Sequence, residues 1–186
     1  LSTAQAAALD TADLGAFGSA ALRAMSPSAI AGLTSAQIQS LSGPQFAALT
    51  SAQIGALTTA QMAVLETADL AALTTAQLRV LGAPQLDALG SAQFAALTSK
   101  QVLALTSTQV AGLSSDDLNA LTSTQFALLT SAQIGALSAG RMATLETADL
   151  AALGSAALRA LPDAPLPALA SADMQALSTP QAAALA

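Results

Sequence analysis

The chain has 186 residues, of which 53% are hydrophobic and only 9% are charged, and its formal net charge is −6. It contains no Cys and no His, which excludes imidazole and thiolate catalysis, zinc and haem ligation, iron–sulfur clusters and disulfides. Its five cationic residues are too few for a phosphate-binding surface, so nucleic acid is not an expected partner. These residues are Arg23, Arg79, Lys100, Arg141 and Arg159.

Leucine recurs every eight residues along the whole chain. From Leu1 to Leu185, 24 positions share this spacing and 22 of them are Leu, the exceptions being Phe17 and Met25. The chain therefore consists of 23 consecutive octads without an insertion or a deletion. With this Leu as position 1, the consensus is Leu-Thr-Ser-Ala-Gln-φ-Ala-Ala, where φ is apolar. Position 5 is Gln in 13 octads and Asp in 5.

Each octad predicts one short helix. A continuous helix turns about 100° per residue, so the leucine row would spiral around it unless the helix broke once per octad. A Thr or Ser at position 2, three residues before Gln, is a capping box that starts a helix, as in residues 34–37 and 50–53. Where position 2 is not a hydroxyl residue, as at Glu66 and Gly90, we expect the cap to move to position 3.

Residue preferences favour helices over the alternative of a short strand and a turn. Positions 4, 7 and 8 are mostly Ala, which is the best helix former and a poor strand former. Pro27 lies at position 3, and Pro44, Pro84 and Pro180 lie at position 4, where the first helical turn tolerates proline.

The substitution pattern assigns the faces of each helix. Positions 1 and 6 are apolar and are expected to form the core, whereas positions 4 and 7 accept charges such as Lys100 and Arg23 and are expected to face solvent. Position 8 stays small, as is typical where backbones approach closely. Helices of five or six residues are unstable alone, so they must stack on one another. We therefore predict an all-α solenoid of very short capped helices, one per octad.

This solenoid is predicted to be a single elongated domain of 23 octads over residues 1–186. The number of octads in one coil, meaning one superhelical turn of the solenoid, is left open by the sequence. The octad at 161–168 is irregular, because Pro165 and Pro167 fall inside its expected helix, and we expect it to be non-helical.

No catalytic, cofactor-binding or metal site is expected, and the chain is not expected to be an enzyme. The Gln and Asp side chains at position 5, stacked from coil to coil, could bond across coils or bind a polar group, but helix capping alone accounts for Gln and Asp at this position. Asp116 and Asp117 are expected to be a capped helix start rather than a calcium site. Phe46, Phe94 and Phe126 all lie at position 6 and are expected in the core.

A membrane-spanning segment is not expected either. Residues 24–65 carry no charge, but Ser, Thr, Gln and Pro interrupt this stretch every few positions. Residues 1–5 have neither the basic nor the apolar region of a signal peptide, and there is no initiator Met. We expect a processed chain or a fragment of a longer protein.

The uninterrupted octad resembles the tandem short-repeat regions of very large secreted or surface-anchored bacterial proteins, which are adhesin-like. This resemblance implies an extracellular stalk, fibre or matrix segment, with itself or other surface proteins as partners. Residues 33–38, Leu-Thr-Ser-Ala-Gln-Ile, also resemble the opening of transcription-activator-like effector repeats, but the chain lacks their length, their base-reading loop and their basic charge. The alternative is a solenoid scaffold that binds a protein or peptide.

The two ends of the chain suggest self-association. The first and last octads, at 1–8 and 177–184, are nearly identical and no more polar than the interior ones. A solenoid without a polar capping repeat exposes its core at each end. Either the natural protein continues beyond this chain or copies of the chain stack head to tail, and we expect such association between copies.

Overall fold

The computed structural model describes residues 1–161 and 171–185, and within these ranges it contains helices and no strand. One helix of four to six residues is present for each described octad, which confirms the all-α solenoid of short helices. The helices are α1 (Thr3–Ala7), α2 (Thr11–Gly15), α3 (Ser19–Ala24), α4 (Pro27–Ala31), α5 (Ser35–Ser40), α6 (Gly43–Ala48), α7 (Ser51–Gly55), α8 (Thr59–Ala63), α9 (Thr67–Ala72), α10 (Thr75–Arg79), α11 (Ala83–Asp87), α12 (Ser91–Ala95), α13 (Ser99–Ala104), α14 (Ser107–Gly112), α15 (Ser115–Asn119), α16 (Ser123–Phe126), α17 (Ser131–Ile134), α18 (Ala139–Met142), α19 (Thr147–Ala152), α20 (Ser155–Leu158), α21 (Ser171–Ala176) and α22 (Thr179–Ala182).

The helices begin at the predicted capping boxes. In α7, Gln53 N donates to Thr50 Oγ1 at 3.2 Å, and Thr50 N donates to Gln53 Oε1 at 2.8 Å. The expected shift of the cap at Glu66 and Gly90 is wrong, because both residues are N-caps without a side-chain cap bond. The buried residues at positions 1 and 6 set the register of each octad, so the chain breaks at position 2 whatever residue stands there.

The helices end without a left-handed residue. Leu57 N donates to Ile54 O at 3.1 Å, a tight closing turn of a kind that recurs at position 1. Among the described residues none has a positive φ, so no glycine is needed to end a helix. The prolines at positions 3 and 4 lie in first helical turns, as predicted.

Positions 1 and 6 form the core, as predicted. Phe46, Phe94 and Phe126 are completely buried, whereas position 4 is exposed in every octad where its burial is described. Three of the described apolar residues at these positions are exposed, Leu1, Met174 and Ala182. An octad buries only two large apolar side chains, each worth about 1.5–3 kcal/mol, and so its short helix depends on its neighbours.

The coil contains between three and four octads, a number that the sequence left open. Most helix pairs in contact are three places apart, as α1 and α4 or α14 and α17 are, and α19 packs on α21 and α20 on α22 across the octad that the structure does not describe. Hydrogen bonds between successive coils join residues that are 25 to 31 apart in sequence. An octad therefore touches the octads three and four places before it.

The chain divides into two compact units, Leu1–Gln101 and Val102–Ala186. Both are stacked in the same way: Gln37 Nε2 donates to Ala6 O at 3.0 Å in the first, and Gln133 Nε2 donates to Val102 O at 2.9 Å in the second. The single elongated domain over residues 1–186 stays a prediction. The irregular octad at 161–168 lies outside the described residues, apart from Leu161.

No helix in the described ranges has more than six residues, and none is long and apolar enough to cross a membrane.

Candidate functional site

The position-5 glutamines lie inside the solenoid rather than on its surface. Gln53 and Gln101 are each 1% exposed, although an uncharged amide is normally found at the surface. The buried glutamines of this column are Gln37, Gln45, Gln53, Gln61, Gln77, Gln85, Gln93, Gln101, Gln109, Gln125, Gln133 and Gln181.

The amide of each glutamine bonds in two directions, as Gln53 shows. Its Oε1 accepts from the backbone N–H of Thr50, the N-cap of its own helix. Its Nε2 donates to Leu22 O at 2.7 Å and to Met25 O at 2.8 Å, on the preceding coil. These carbonyls lie at the end of α3, where the last carbonyls have no i+4 partner within the helix. Leu22 O also accepts the tight closing-turn bond from Met25 N at 3.1 Å. One side chain thus satisfies the start of one helix and the end of another.

This pattern recurs along both units. Gln77 Nε2 donates to Phe46 O and Leu49 O at 2.9 and 2.7 Å, and Gln133 Nε2 donates to Val102 O and Leu105 O at 2.9 and 2.8 Å. A buried hydrogen bond contributes about 0.5–1.5 kcal/mol net, and leaving its donor unpaired costs more. The glutamine column therefore holds successive coils together.

The capping role predicted for position 5 is confirmed, and the structure adds the bond across coils. These amides are consequently not open to a polar ligand. The signal for the second role lies in the absence of Glu from position 5 in all 23 octads. Glu can complete a capping box as well as Gln can, but a carboxylate cannot donate to carbonyls.

Aspartates replace glutamine in two identical octads, at residues 65–72 and 145–152. Burial raises the pKa of Asp149, the hydrogen bond from Ser123 lowers it, and the charge of Glu146 raises it again. Ser123 Oγ donates to Asp149 Oδ1 at 3.1 Å. Burial and then Glu66 raise the pKa of Asp69.

Asp116 and Asp117 form the capped helix start that the sequence predicts. Asp117 is buried, and its Oδ2 accepts from Ser114 N at 3.0 Å and from Ser114 Oγ at 2.6 Å. Asp116 lies at exposed position 4. Over residues 1–161 and 171–185, no three acidic residues come together in a way that could hold a metal ion.

Positions 7 and 8 meet where successive coils pack. Arg23 Nε donates to Ala48 O at 2.7 Å, and Asn119 Nδ2 donates to Thr144 O at 3.0 Å. A Cβ atom on Gly135 would lie 2.9 Å from Ala160 O. Position 8 approaches the preceding coil as closely, because a Cβ atom on Gly32 would lie 2.9 Å from Thr3 Cα, which agrees with the prediction that it stays small. Position 7 is exposed in most described octads, as predicted, although one side of it lies against the next coil.

A groove of about 540 Å³ opens in the first unit. Its lining offers hydroxyl groups, one amide and the ammonium group of Lys100, and it contains no carboxylate. The lining residues are Ala71, Leu73, Thr74, Thr75, Thr98, Ser99, Lys100 and Gln101.

The octads match a known repeat. The family model of the ALTTAQ repeat matches residues 6–43, 62–99, 88–115 and 142–186, which together cover more than half of the chain. The six residues of the repeat's name occur without change at 56–61 and 72–77. No curated protein matches the chain.

Proposed function

The chain belongs to the ALTTAQ repeat family, and we propose that it is a structural segment of a bacterial secreted or cell-surface protein, acting as a spacer and assembling end to end. The observation that carries this proposal is the buried position of the glutamines at position 5. The most regular polar residue of the repeat is buried, and it bonds one coil to the next. The regularity of the sequence thus serves stacking, as a stalk or fibre requires.

The surface supports a role without catalysis. Position 4, which is exposed throughout the described octads, is mostly Ala. The chain has no His, so its many Ser and Thr hydroxyls have no imidazole to activate them.

Position 8 of the first octads supports end-to-end assembly. In the fourth octad this position lies against the preceding coil: Gly32 is half-buried, and a Cβ atom on it would lie 2.9 Å from Thr3 Cα. Ala8, Ala16 and Ala24 occupy the same position in the first three octads and are exposed. These small residues can pack against a further coil of the same repeat, and we propose that a second copy supplies it.

Light scattering and electron microscopy over a range of concentrations test this assembly. The parent chain should form rods that lengthen with concentration. Ala16→Arg places a bulky charge at position 8 and should shorten them, whereas Ala12→Arg, at exposed position 4 of the same octad, should not. A parent chain that stays monomeric at every concentration contradicts end-to-end assembly.

Protease treatment of intact cells tests the location. If the segment is secreted or on the cell surface, protease should remove it from intact cells or from the medium. Protection of the segment until the cells are lysed would contradict an extracellular location.

The groove around Lys100 favours a second candidate, a scaffold that binds a protein or peptide. An ammonium group beside hydroxyls suits an acidic peptide. Lys100→Glu should abolish retention of such a peptide, and Arg79→Glu, outside the lining, should not. Equal retention by both variants would contradict this candidate.

A further inference from the structure

Asp69 is a buried carboxylate without a hydrogen-bond donor. It lies at position 5 of its octad, in α9, and is 6% exposed. Its side chain makes no hydrogen bond to any described residue, and the N-cap of α9, Glu66, makes no side-chain cap bond. In the glutamine octads both of these groups are engaged in a capping box. Asp69 therefore keeps a buried polar group that nothing in its own helix satisfies.

In the preceding coil, a glycine lies next to Asp69 at the position from which a hydroxyl group donates to two other aspartates, Asp149 and Asp173. Ser123 donates to Asp149 and Thr147 Oγ1 donates to Asp173 Oδ1 at 2.7 Å, each from 26 residues earlier. The residue 26 positions before Asp69 is Gly43, in α6, and a Cβ atom there would lie 3.6 Å from Asp69 Oδ1. A side chain with a hydroxyl group at position 43 would therefore lie directly beside the carboxylate of Asp69.

The surroundings of Asp69 bring no positive charge to it. The helices that pack against α9, which are α6 and α12, carry no titratable side chain, and neither does α5 of the preceding coil. Lys100 lies at exposed position 4 of α13, whose Gln101 bonds to the end of α9. Glu66, on the same octad, adds a second negative charge. Burial and this charge both favour the neutral carboxylic acid.

We propose that the packing of α9 on α6 depends on pH. This contact is stabilised when Asp69 takes up a proton and weakened when Asp69 is ionised. Protonation removes a charge to which no described residue donates, at a site with little access to water, and gives Asp69 a hydroxyl donor. The pKa of Asp69 in the folded chain lies above its ordinary value of 3.8. The folded chain therefore binds more protons than the unfolded chain in the window above 3.8, and its stability falls as the pH rises through that window.

Urea unfolding of the full chain and of Asp69→Asn, at about pH 3 and about pH 7, tests the proposal. Asn has the shape of Asp and stays neutral at both pH values. The variant should unfold at a higher urea concentration than the parent at pH 7, and at the same concentration at pH 3. Asp149→Asn is the matched control, and its gain at pH 7 should be smaller because Ser123 already donates to Asp149.

Carbon-13 NMR of the carboxyl groups supplies a readout that packing alone does not move. The Asp69 carboxyl carbon should titrate above 3.8, and Glu66→Gln should shift its midpoint downwards. Titration of Asp69 at or below 3.8, or an equal effect of Asp69→Asn at both pH values, would overturn the proposal. A stabilisation by calcium at pH 7 that matches the effect of acid would overturn it too, because the ligand would then be a metal ion.

Discussion

Two regions of the chain stack their octads with different polar bonds. Between residues 37 and 109, position 5 is Gln in every octad except that of Asp69, and amides such as Gln53 Nε2 reach the preceding coil at 2.7 Å. Between residues 141 and 173, position 5 is never Gln. There hydroxyl groups join the described coils, as in the bond of 2.9 Å from Ser131 Oγ to Ala156 O. The amides that bond to this region come from outside it, from Asn119 and Gln181. The core and the small residues at position 8 are shared, so they set the coil, and the amides add to its stability.

The second region also leaves a buried polar atom unsatisfied. In the part of the chain that the structure describes, Arg141 Nη1 is buried without a hydrogen-bond partner, and so is Asn119 Oδ1, which lies before this region. Arg141 stands at position 5, where Gln would bond to the preceding coil. Each buried polar atom without a partner costs about 1–3 kcal/mol. We therefore expect local opening to begin in the region of residues 141–173.

Core substitutions should affect both regions equally. Leu70 and Leu150 occupy position 6 of identical octads and are 0% and 1% exposed. Replacing either by Ala should lower the free energy of unfolding by about 2–5 kcal/mol, because each leaves a cavity in the same kind of core. Urea unfolding measures this loss. A much smaller loss at Leu150 would show that the two regions differ in their cores as well as in their polar bonds.

A carboxylate in the glutamine column should be nearly as harmful. Gln77→Glu keeps the shape of the side chain but places a charge against Phe46 O and Leu49 O, which now accept from Gln77 Nε2. The expected loss of unfolding free energy is about 2–4 kcal/mol at neutral pH, with recovery in acid as the new carboxyl group takes up a proton. Gln39→Glu, at exposed position 7, is the control and should unfold like the parent. Equal losses in the two variants would mean that the buried amide bonds contribute nothing.

Restoring glutamine in the second region should stabilise it. Arg141→Gln removes a guanidinium group with an unpaired buried nitrogen and supplies an amide that can reach Val110 O and Leu113 O, at the separations seen for Gln133. We expect a gain of about 1 kcal/mol in the free energy of unfolding. Ala156→Gln, at exposed position 4, is the matched control and should bring no gain. A loss of stability in Arg141→Gln would indicate that the Arg141 side chain itself stabilises the packing of successive coils.

Cap and surface substitutions should have the smallest effects. Thr98 Oγ1 accepts from Gln101 N at 3.3 Å, so Thr98→Ala should cost about 1 kcal/mol, and Thr130→Ala in the second unit should cost the same. Lys100→Ala, at position 4, should leave the thermal midpoint unchanged. A large loss at Lys100 would reverse the assignment of the helix faces.

The pattern within one octad is enough to predict the helices and their core. It does not predict features that depend on contacts between residues in different coils. The period of eight, the capping box at residues 50–53 and the buried place of Phe46 all depend on neighbours within one octad. The burial of Gln53 and the size of the coil depend on residues 28 to 31 positions away, which no pattern within an octad encodes. The cap at Glu66 was predicted wrongly because the core register overrides the preference for a hydroxyl group.

Hydrogen exchange of the glutamine side-chain amides, followed by NMR, tests most directly whether position 5 bonds coil to coil. Gln53 is buried with both of its polar atoms bonded, whereas Gln39 is exposed at position 7 of α5 in the same unit. The Nε2 protons of Gln53 should exchange far more slowly than those of Gln39, and as slowly as the backbone amides of the stacked core. Equal exchange rates for the two side chains would contradict the bonds across coils on which this description of the solenoid depends.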